Sequence, residues 1–373
     1  GLSAFYKFTP YSKLSLQYHN ISEFRRGGNN LDLPPHEANI TEQLDHDING
    51  GNLAYDLSSN DYKNRLKAYF SFSNTTRKSY YGGIGEGSFA DRIAAQKAYG
   101  RTTDFTTVTG LQYLHQFDNL LFMPSDLTLG AEYNHDALKD KIIGYNHLLE
   151  QKSRIASAYL QNEWKNKTWS FLLGWRIDKH NLIRHAIFSP RVNLRYNPTE
   201  NINLRASYSS GFRAPQAFDE DLHVGFAGGE RIVTRLASGL KEERSHSFSL
   251  SADLYQTIGS VQTNFLVEGF YTHLTDVFAL RQLNTKDSEG NRVQERYNGS
   301  GAKVLGLNLE GKAAFTSWFQ LQAGITLQQS RYDEETEWDE DAPKVKKFMR
   351  TPSTYGYFTA SFTPLKNLSA ALH

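Results

Sequence analysis

Hydrophobic and polar residues alternate along most of the chain. Between residues 188 and 197, the apolar side of the pattern consists of Phe188, Pro190, Val192, Leu194 and Tyr196, and the polar side consists of Ser189, Arg191, Asn193, Arg195 and Asn197. A period of two is typical of a β-strand that is apolar on one face only. The same alternation recurs over residues 169–178, 202–213 and 319–328. The pattern predicts an all-β protein.

Short and long connections alternate between these predicted strands. The short ones lie at residues 9–12, 58–61, 165–168, 198–201, 258–260, 316–317 and 366–367, and the long ones lie near 27–38, 81–101, 136–151, 179–185, 215–242, 283–292 and 333–347. An outer-membrane β-barrel has short periplasmic turns and long outer loops, whereas a soluble sandwich has no reason to sort its loops by length. We therefore expect an antiparallel transmembrane β-barrel of about 16 strands. A soluble all-β protein is the alternative.

Composition changes this interpretation little but excludes several other classes. The 373 residues include no Cys, which excludes disulfide scaffolds and cysteine nucleophiles, and the formal net charge of +1 gives no indication of a nucleic-acid partner. Aromatic residues make up 13% of the chain, too many for a disordered segment. The mean hydropathy of -0.57 is compatible with a barrel, because lipid-facing and lumen-facing residues average out.

The polar faces of the predicted strands carry many charges of both signs. The arginines at these positions are Arg176, Arg191, Arg195, Arg205 and Arg213, and the acids include Asp178, Asp253, Glu268 and Glu310. Buried ions need water or a partner. We expect a wide lumen that is filled by water or by a polar plug.

Several short segments resemble the TonB-dependent outer-membrane receptors. The most specific is Gly211-Phe212-Arg213-Ala214-Pro215, which is similar to that family's Gly-Phe-Arg-Ala-Pro box. Further boxes precede it in the family's order, at residues 158–164, 174–178, 189–198 and 203–208, and two more follow at 270–277 and 305–310. The resemblance is clear over the second half of the chain, whereas the first half resembles the family only in its pattern of strands and connections.

The resemblance implies a gated importer in the bacterial outer membrane, in contact with outer-membrane lipid. Its ligand would be too large or too scarce for porins: a ferric siderophore, haem or a cobalamin-like compound. The TonB-ExbB-ExbD energy-transducing complex would act through an N-terminal plug. Because such a barrel has about 22 strands, residues 1–373 are expected to be a partial barrel domain without plug or C-terminal closing strands. The Arg213 side chain is expected to face the plug or the ligand near the outer mouth.

Two groups of residues are candidate ligand contacts. The loop at residues 218–239 offers His223, Phe226, Arg231 and Arg235, an aromatic and cationic surface suited to an anionic iron chelate or a porphyrin. The alternative is a solvated loop. Tyr80 and Tyr81 form the second group, and their alternative is the outer aromatic girdle.

The remaining motifs give weaker indications of a functional site. Asp45, His46 and Asp47 do not predict a metal site, because alternation places His46 on the face opposite the two aspartates. The acidic stretch at 333–341 is interpreted as a solvated charge run rather than a calcium site. Residues 89–98 are predicted to form a short helix. We find no catalytic constellation and no cofactor motif, so the sequence predicts a non-enzyme. A passive porin and a soluble glycan-binding β protein are the alternative functions.

Overall fold

The computed structural model describes residues 1–142, 147–215, 232–286, 292–336, 343–348, 351–365 and 367–373. These residues are mainly strands. They are β1 (Leu2–Thr9), β2 (Ser12–Gly28), β3 (Thr41–Ser58), β4 (Asn64–Gly82), β5 (Tyr99–Leu120), β6 (Met123–Ile142), β7 (His147–Lys165), β8 (Trp169–His180), β9 (Ile187–Thr199), β10 (Ile202–Arg213), β11 (Ile232–Leu236), β12 (Glu243–Ile258), β13 (Val261–Thr275), β14 (Phe278–Lys286), β15 (Arg292–Asn298), β16 (Ala302–Ala314), β17 (Phe319–Thr336), β18 (Val345–Lys347), β19 (Thr354–Leu365) and β20 (Leu368–Leu372).

Sixteen of these strands form one continuous antiparallel meander. It runs through β1 to β10 in chain order and continues through β12, β13, β16, β17, β19 and β20, and β18 pairs with the outer part of β17. The remaining strands, β11, β14 and β15, form a separate small sheet in which β11 runs parallel to β15. The all-β antiparallel prediction is confirmed, and the expected strand number agrees with the meander.

In the described part of the chain, two helices interrupt the strands. A 3-10 helix (Pro35–Glu37) lies between β2 and β3, and α1 (Phe89–Lys97) lies between β4 and β5. Ser88 begins α1 with a capping box, in which its Oγ accepts from the Asp91 amide and Asp91 accepts from the Ser88 amide. The predicted helix at 89–98 is confirmed. Among the described residues, no helix has the length and apolar character needed to cross a membrane.

Over residues 1–213 short turns and long connections alternate as predicted, with one exception. The predicted loops at 215–242, 283–292 and 333–347 lie partly outside the described residues, and their described parts include β11, the end of β14, the start of β15, the end of β17 and β18. The connection expected at 136–151 is mostly strand, because β6 continues to Ile142 and β7 begins at His147. Cross-strand pairing extends this hairpin, and Lys139 Nζ donates to Glu150 Oε1 at 2.6 Å. Alternating charges therefore marked a strand pair that continues outward, and the prediction of a long loop was wrong.

The two faces of the sheet differ in the way the alternation predicts. On β8, Leu173 and Ile177 point outward and are 45% and 40% exposed, whereas Asp178 and His180 point inward and are 3% and 0% exposed. The outward apolar rows form the surface suited to lipid, and the polar rows pack across the inner face. Because a tilted strand crosses a membrane in about ten residues, strands as long as the 22-residue β5 extend well beyond it on the side of the long loops.

Candidate functional site

A network of charged and hydroxyl side chains covers the inner face of β4 to β8. Arg176 lies at its centre, with Nη2 at 3.0 Å from Glu132 Oε1 and Nε at 2.8 Å from Asp178 Oδ1. Tyr69 Oη donates to Glu132 Oε2 at 2.7 Å, and Ser157 Oγ donates to Asp178 Oδ1 at 2.6 Å. Each ion is paired and hydrogen-bonded, which allows charges to line the lumen at low cost.

Glycines make room for the tyrosines of this network. The ring of Tyr69 lies across Gly110 of the neighbouring strand, where a Cβ would stand 2.2 Å from the Tyr69 Cζ. From the other direction, Tyr159 lies across Gly130 and donates to Gln112 Oε1 at 3.0 Å. The two rings therefore reach across a strand to bind polar groups on the strand beyond it.

A second inward cluster lies nearer the outer end of the same strands. Arg77 Nε donates to Thr102 Oγ1 at 3.0 Å, and Thr102 Oγ1 donates to Asp140 Oδ1 at 2.5 Å. Arg77 Nη2 also lies 3.7 Å from Asp140 Oδ1, whose residue is 5% exposed. The inner wall is therefore polar from mid-strand to its outer part.

Four of the predicted lumen arginines lie on β9 and β10, and three of them, Arg191, Arg195 and Arg205, have different surroundings. Arg205 Nη2 is 3.6 Å from Asp253 Oδ2 of β12. Arg195 Nη2 donates to the Asn166 carbonyl at 3.1 Å and so supports a short turn. Arg191 is exposed. These three side chains do not converge on one point.

Arg213 is part of a cationic and aromatic cluster at the outer mouth. Its guanidinium carbon lies 5.6 Å from the ring centre of Phe278, and that of Arg296 lies 5.9 Å from the same ring. On the same strand as Phe278, Arg281 lies 4.7 Å above the Tyr297 ring of β15 and pairs with Glu295. Two guanidiniums therefore lie close to one ring where the small sheet meets the end of β10.

The predicted loop residues are only partly described. Arg235 is exposed on β11, in register with Glu295 of β15. His223, Phe226 and Arg231 lie outside the described residues. The ligand-contact prediction for this loop stays a prediction.

Tyr80 and Tyr81 end β4 and are largely covered. Tyr80 is 1% exposed and packs edge-on against Tyr99 at 4.8 Å between ring centres, and Tyr99 Oη lies 2.9 Å from His36 Nδ1. Tyr81 is 8% exposed. The structure thus places Tyr80 against Tyr99 at the start of β5, and strand alternation places Tyr81 on the opposite, inner face of β4 with Arg77.

A buried carboxylate joins two outer connections. Glu242 is 5% exposed, and its Oε1 lies 2.9 Å from His185 Nε2 and accepts from Arg244 Nη2 at 2.8 Å. Burial is the largest influence on the Glu242 pKa and would raise it. Hydrogen bonds from its own backbone amide, from Arg244 and from His185 outweigh burial and hold the pKa below its ordinary value. Glu242 is therefore an anion at neutral pH.

The sequence did not single out Phe278, Arg296, Glu242 or His185. Phe278 directly follows the box at 270–277, and this was the one signal available for it. The positions of Arg296, Glu242 and His185 depend on connections that fold over the ends of strands distant from them in the chain. Among the described residues, no group of three His, Cys, Asp or Glu side chains is arranged to hold a metal ion, and this includes Asp45, His46 and Asp47.

Comparisons with known proteins agree with this geometry. A family model described as "TonB dependent receptor-like, beta-barrel" matches residues 1–371. A search of curated protein sequences found no match.

Solved structures of similar fold come from several bacteria. The siderophore receptor PirA of Acinetobacter baumannii superposes with a TM-score of 0.68 at 13% identity, over 98% of this chain and 56% of PirA. The outer-membrane transporter YddB of Escherichia coli superposes with a TM-score of 0.72 at 12% identity, over 97% of this chain and 54% of YddB. The hemophore receptor HasR of Serratia marcescens was solved with its hemophore HasA and heme. It superposes with a TM-score of 0.69 at 12% identity, over 99% of this chain and 62% of HasR. The chain thus spans between half and two thirds of their length.

Proposed function

Because the chain belongs to the TonB-dependent receptor β-barrel family, we propose that it is the barrel wall of an importer for a scarce anionic metal chelate. Members of this family are outer-membrane β-barrels of Gram-negative bacteria. The ligand is a ferric siderophore or haem, with a cobalamin-like compound as the remaining candidate. Energy comes from the TonB-ExbB-ExbD complex. The proposal contains no catalytic step.

The cluster at the outer mouth is the observation that supports this ligand class. Guanidiniums bind carboxylates and other planar anions through paired hydrogen bonds, and they stack on aromatic faces. Arg213 and Arg296 already lie close to the Phe278 ring, and Arg281 stacks on Tyr297. An anionic chelate with flat ligand groups would meet the exposed Arg213 and Arg281 guanidiniums here, whereas Arg296 is buried.

The inner wall supports passage rather than a closed core. Arg176, Glu132 and Asp178 hold one another across strands on the inner face, and that face is polar along its length. A passive porin would share this feature, so the lumen alone does not separate the two. The soluble glycan-binding alternative is not favoured by the family match.

Uptake in cells tests the proposal. The full-length gene is deleted and restored, and growth under iron or cobalamin limitation is compared across ferric siderophores, haem and cobalamin. We expect the uptake of one of these metal chelates to depend on both the gene and TonB. Dependence on the gene without TonB would favour a porin, and dependence on neither would refute the substrate class.

Variants at the outer mouth test the ligand contact. Removing the Arg213 or the Arg281 guanidinium by substitution with Gln is expected to weaken ligand binding by roughly tenfold or more in each variant, since a charge-assisted hydrogen bond contributes about 1.5–3 kcal/mol. Arg184→Gln is the matched control, because Arg184 is an exposed outer arginine on the connection between β8 and β9. Equal ligand binding by the parent, the Arg213 and Arg281 variants and the Arg184 control would contradict a role for this cluster.

A further inference from the structure

A row of lysines crosses the inner face of the first strands, at the end of the wall where the short turns lie. Lys7 of β1 pairs in register with Lys13 of β2. Lys13 pairs with Asp56 of β3, which in turn pairs with Lys67 of β4. Alternation places the row on the inner face, because Tyr69 of the inner network is two residues from Lys67. We call these three residues, each within three residues of a strand end at a short turn, the lysine row.

Like charges stand opposite each other in the lysine row. Lys7 and Lys13 are direct cross-strand partners on one face, and such a pairing destabilises a sheet unless a counter-charge neutralises it. Arg65, the next inner position of β4 toward the turn, adds an exposed fourth cation, and its Nε donates to the Tyr62 carbonyl at 3.3 Å. On the inner face of β1 to β4 near the short turns, all of which is described, Asp56 is the single carboxylate. This sector of the lumen wall is therefore positive.

Lysines elsewhere at this end of the inner face are paired. Lys165 Nζ lies 2.6 Å from Asp126 Oδ2, and Lys312 Nζ lies 2.9 Å from Glu310 Oε1. The lysine row, by contrast, has no carboxylate of the described residues at ion-pair distance from its ammonium groups. These ammonium groups can therefore bind an anion that enters from the lumen.

The side chains of the lysine row suit weak and reversible binding. An ammonium is a compact, strongly hydrated charge on a flexible stem, whereas a guanidinium stacks on rings and forms paired hydrogen bonds. Lys7 and Lys67 are exposed to water, while Arg213 at the outer mouth lies over the Phe278 ring. Passage through a pore requires sites that are occupied and then left. The two ends of the lumen therefore differ in chemistry, with stacked arginines at the outer mouth and hydrated lysines at the periplasmic end.

We propose that the lysine row is a second anion-binding site, from which the imported chelate is released toward the periplasm. The anionic oxygens of the chelate pair with the ammonium groups of Lys7, Lys13 and Lys67 after the chelate has crossed the lumen. An anion between Lys7 and Lys13 removes the like-charge repulsion between them. The inference rests on the proposed import function and deepens it, because it assigns the exit of the same path.

Chemical footprinting of the full-length receptor in detergent tests the site. Lysines are briefly acetylated in inorganic pyrophosphate or in potassium chloride of the same ionic strength, and the modified residues are quantified by mass spectrometry. We expect pyrophosphate to slow acetylation of Lys7, Lys13 and Lys67 by roughly threefold to fivefold, the protection that an exposed ion pair gives. Lys165 and Lys312, which carboxylates already neutralise, should be unaffected. Equal protection of all five lysines, or of none, would overturn the proposal.

Two double variants separate the lysine row from charge in general. Lys13→Gln/Lys67→Gln removes two of the three ammonium groups, so pyrophosphate should no longer protect Lys7. The matched control, Lys165→Gln/Lys312→Gln, removes two paired lysines from the same end of the wall and should keep the protection. Both variants should keep the parent's β-sheet circular dichroism. A lysine row that resists acetylation in the parent without pyrophosphate would show that polypeptide covers it, and this too would overturn the proposal.

Uptake of radioactive iron separates the release site from the proposed function. Cells that carry the parent or either double variant receive each iron chelate of the growth comparison. For the chelate that the parent imports, Lys13→Gln/Lys67→Gln should bind it as the parent does on cells without TonB, but import it roughly threefold more slowly. Import at the parent's rate would overturn the release site. Growth that depends on no chelate would instead refute the proposed function, and the footprint would still decide whether the row binds anions.

Discussion

Single glycines decide whether the inner network can form. Gly110 has no side chain, and this lets the Tyr69 ring cross β5 and donate to Glu132 on β6. A residue with a Cβ at position 110 would force the ring aside, and the Glu132 carboxylate would lose one of its donors. The network therefore depends on a residue that contributes no polar atom to it.

The substitution Gly110→Val tests this dependence. Its Cβ would lie 2.2 Å from Tyr69 Cζ, so we expect the free energy of unfolding to fall by about 1–3 kcal/mol, as for overpacked sites generally. Urea unfolding in detergent micelles measures the change. Gly311→Val on β16 is the control, because a Cβ there meets no atom within 4 Å. Equal stability of the two variants would refute the packing role of Gly110.

At the scale of elements, the connections are tied to the strands by particular contacts. The connection between β8 and β9 carries His185, which is held to Glu242 at the start of β12. Arg244 on β12 completes the contact at 2.8 Å from the same carboxylate oxygen. Two outer connections are thereby joined although 57 residues separate His185 and Glu242 in the chain.

This contact predicts a pH dependence. The pKa of Glu242 is lowered in the folded protein, so its stabilising effect is present above the ordinary value of 4.5 and is lost as the pH falls through the lowered pKa. Because the chain has no Cys, a single nitroxide at Leu182→Cys reports the motion of this connection. We expect its spectrum to be constant from neutral pH to about 4.5 and to sharpen below that.

Two variants of the labelled protein show whether Glu242 causes the pH dependence of the nitroxide spectrum. Glu242→Gln should give the sharp spectrum already at neutral pH, and its pH dependence should be flat. Glu200→Gln removes an exposed carboxylate beside a short turn and should leave the spectrum of the labelled parent unchanged. An immobile spectrum of the labelled Glu242→Gln variant at neutral pH would show that Glu242 does not hold the connection.

At the scale of the whole molecule, the outward rows define the depth of the wall in a membrane. Trp169 and Trp175 both point outward on β8, with 40% and 36% of their surfaces exposed. Trp169 begins the strand at a short turn, and Trp175 is six residues further along it. At about 3.4 Å per residue and a tilt near 45°, Trp175 lies roughly 14 Å deeper, close to the bilayer centre.

Depth-dependent quenching checks this placement. Proteins that keep only Trp169 or only Trp175 are reconstituted in bilayers with bromines at defined positions of the acyl chains. Bromines near the bilayer centre should quench Trp175 more strongly, and bromines near the headgroups should quench Trp169 more strongly. Equal quenching profiles would contradict the orientation, and quenching of neither would support a soluble β protein.

The sequence by itself determined the fold class, the faces and most of the connections. Alternation has a period of two that is visible without neighbours, so the inward position of Arg176 and the outward position of Trp175 could be predicted from residue order alone. The predicted loop at 136–151 failed because charged residues on a strand that continues beyond the membrane look like loop composition. Pairing across β6 and β7, shown by Lys139 and Glu150, is needed to recognise that extension.

Only the tertiary structure decided which side chains act together. The approach of Arg213 and Arg296 to the Phe278 ring requires the hairpin of β14 and β15 to meet the end of β10, and the burial of Tyr80 requires outer connections to cover the end of β4. Local patterns report the face on which a residue lies, whereas register and loop folding, which depend on contacts distant in the chain, determine its neighbours.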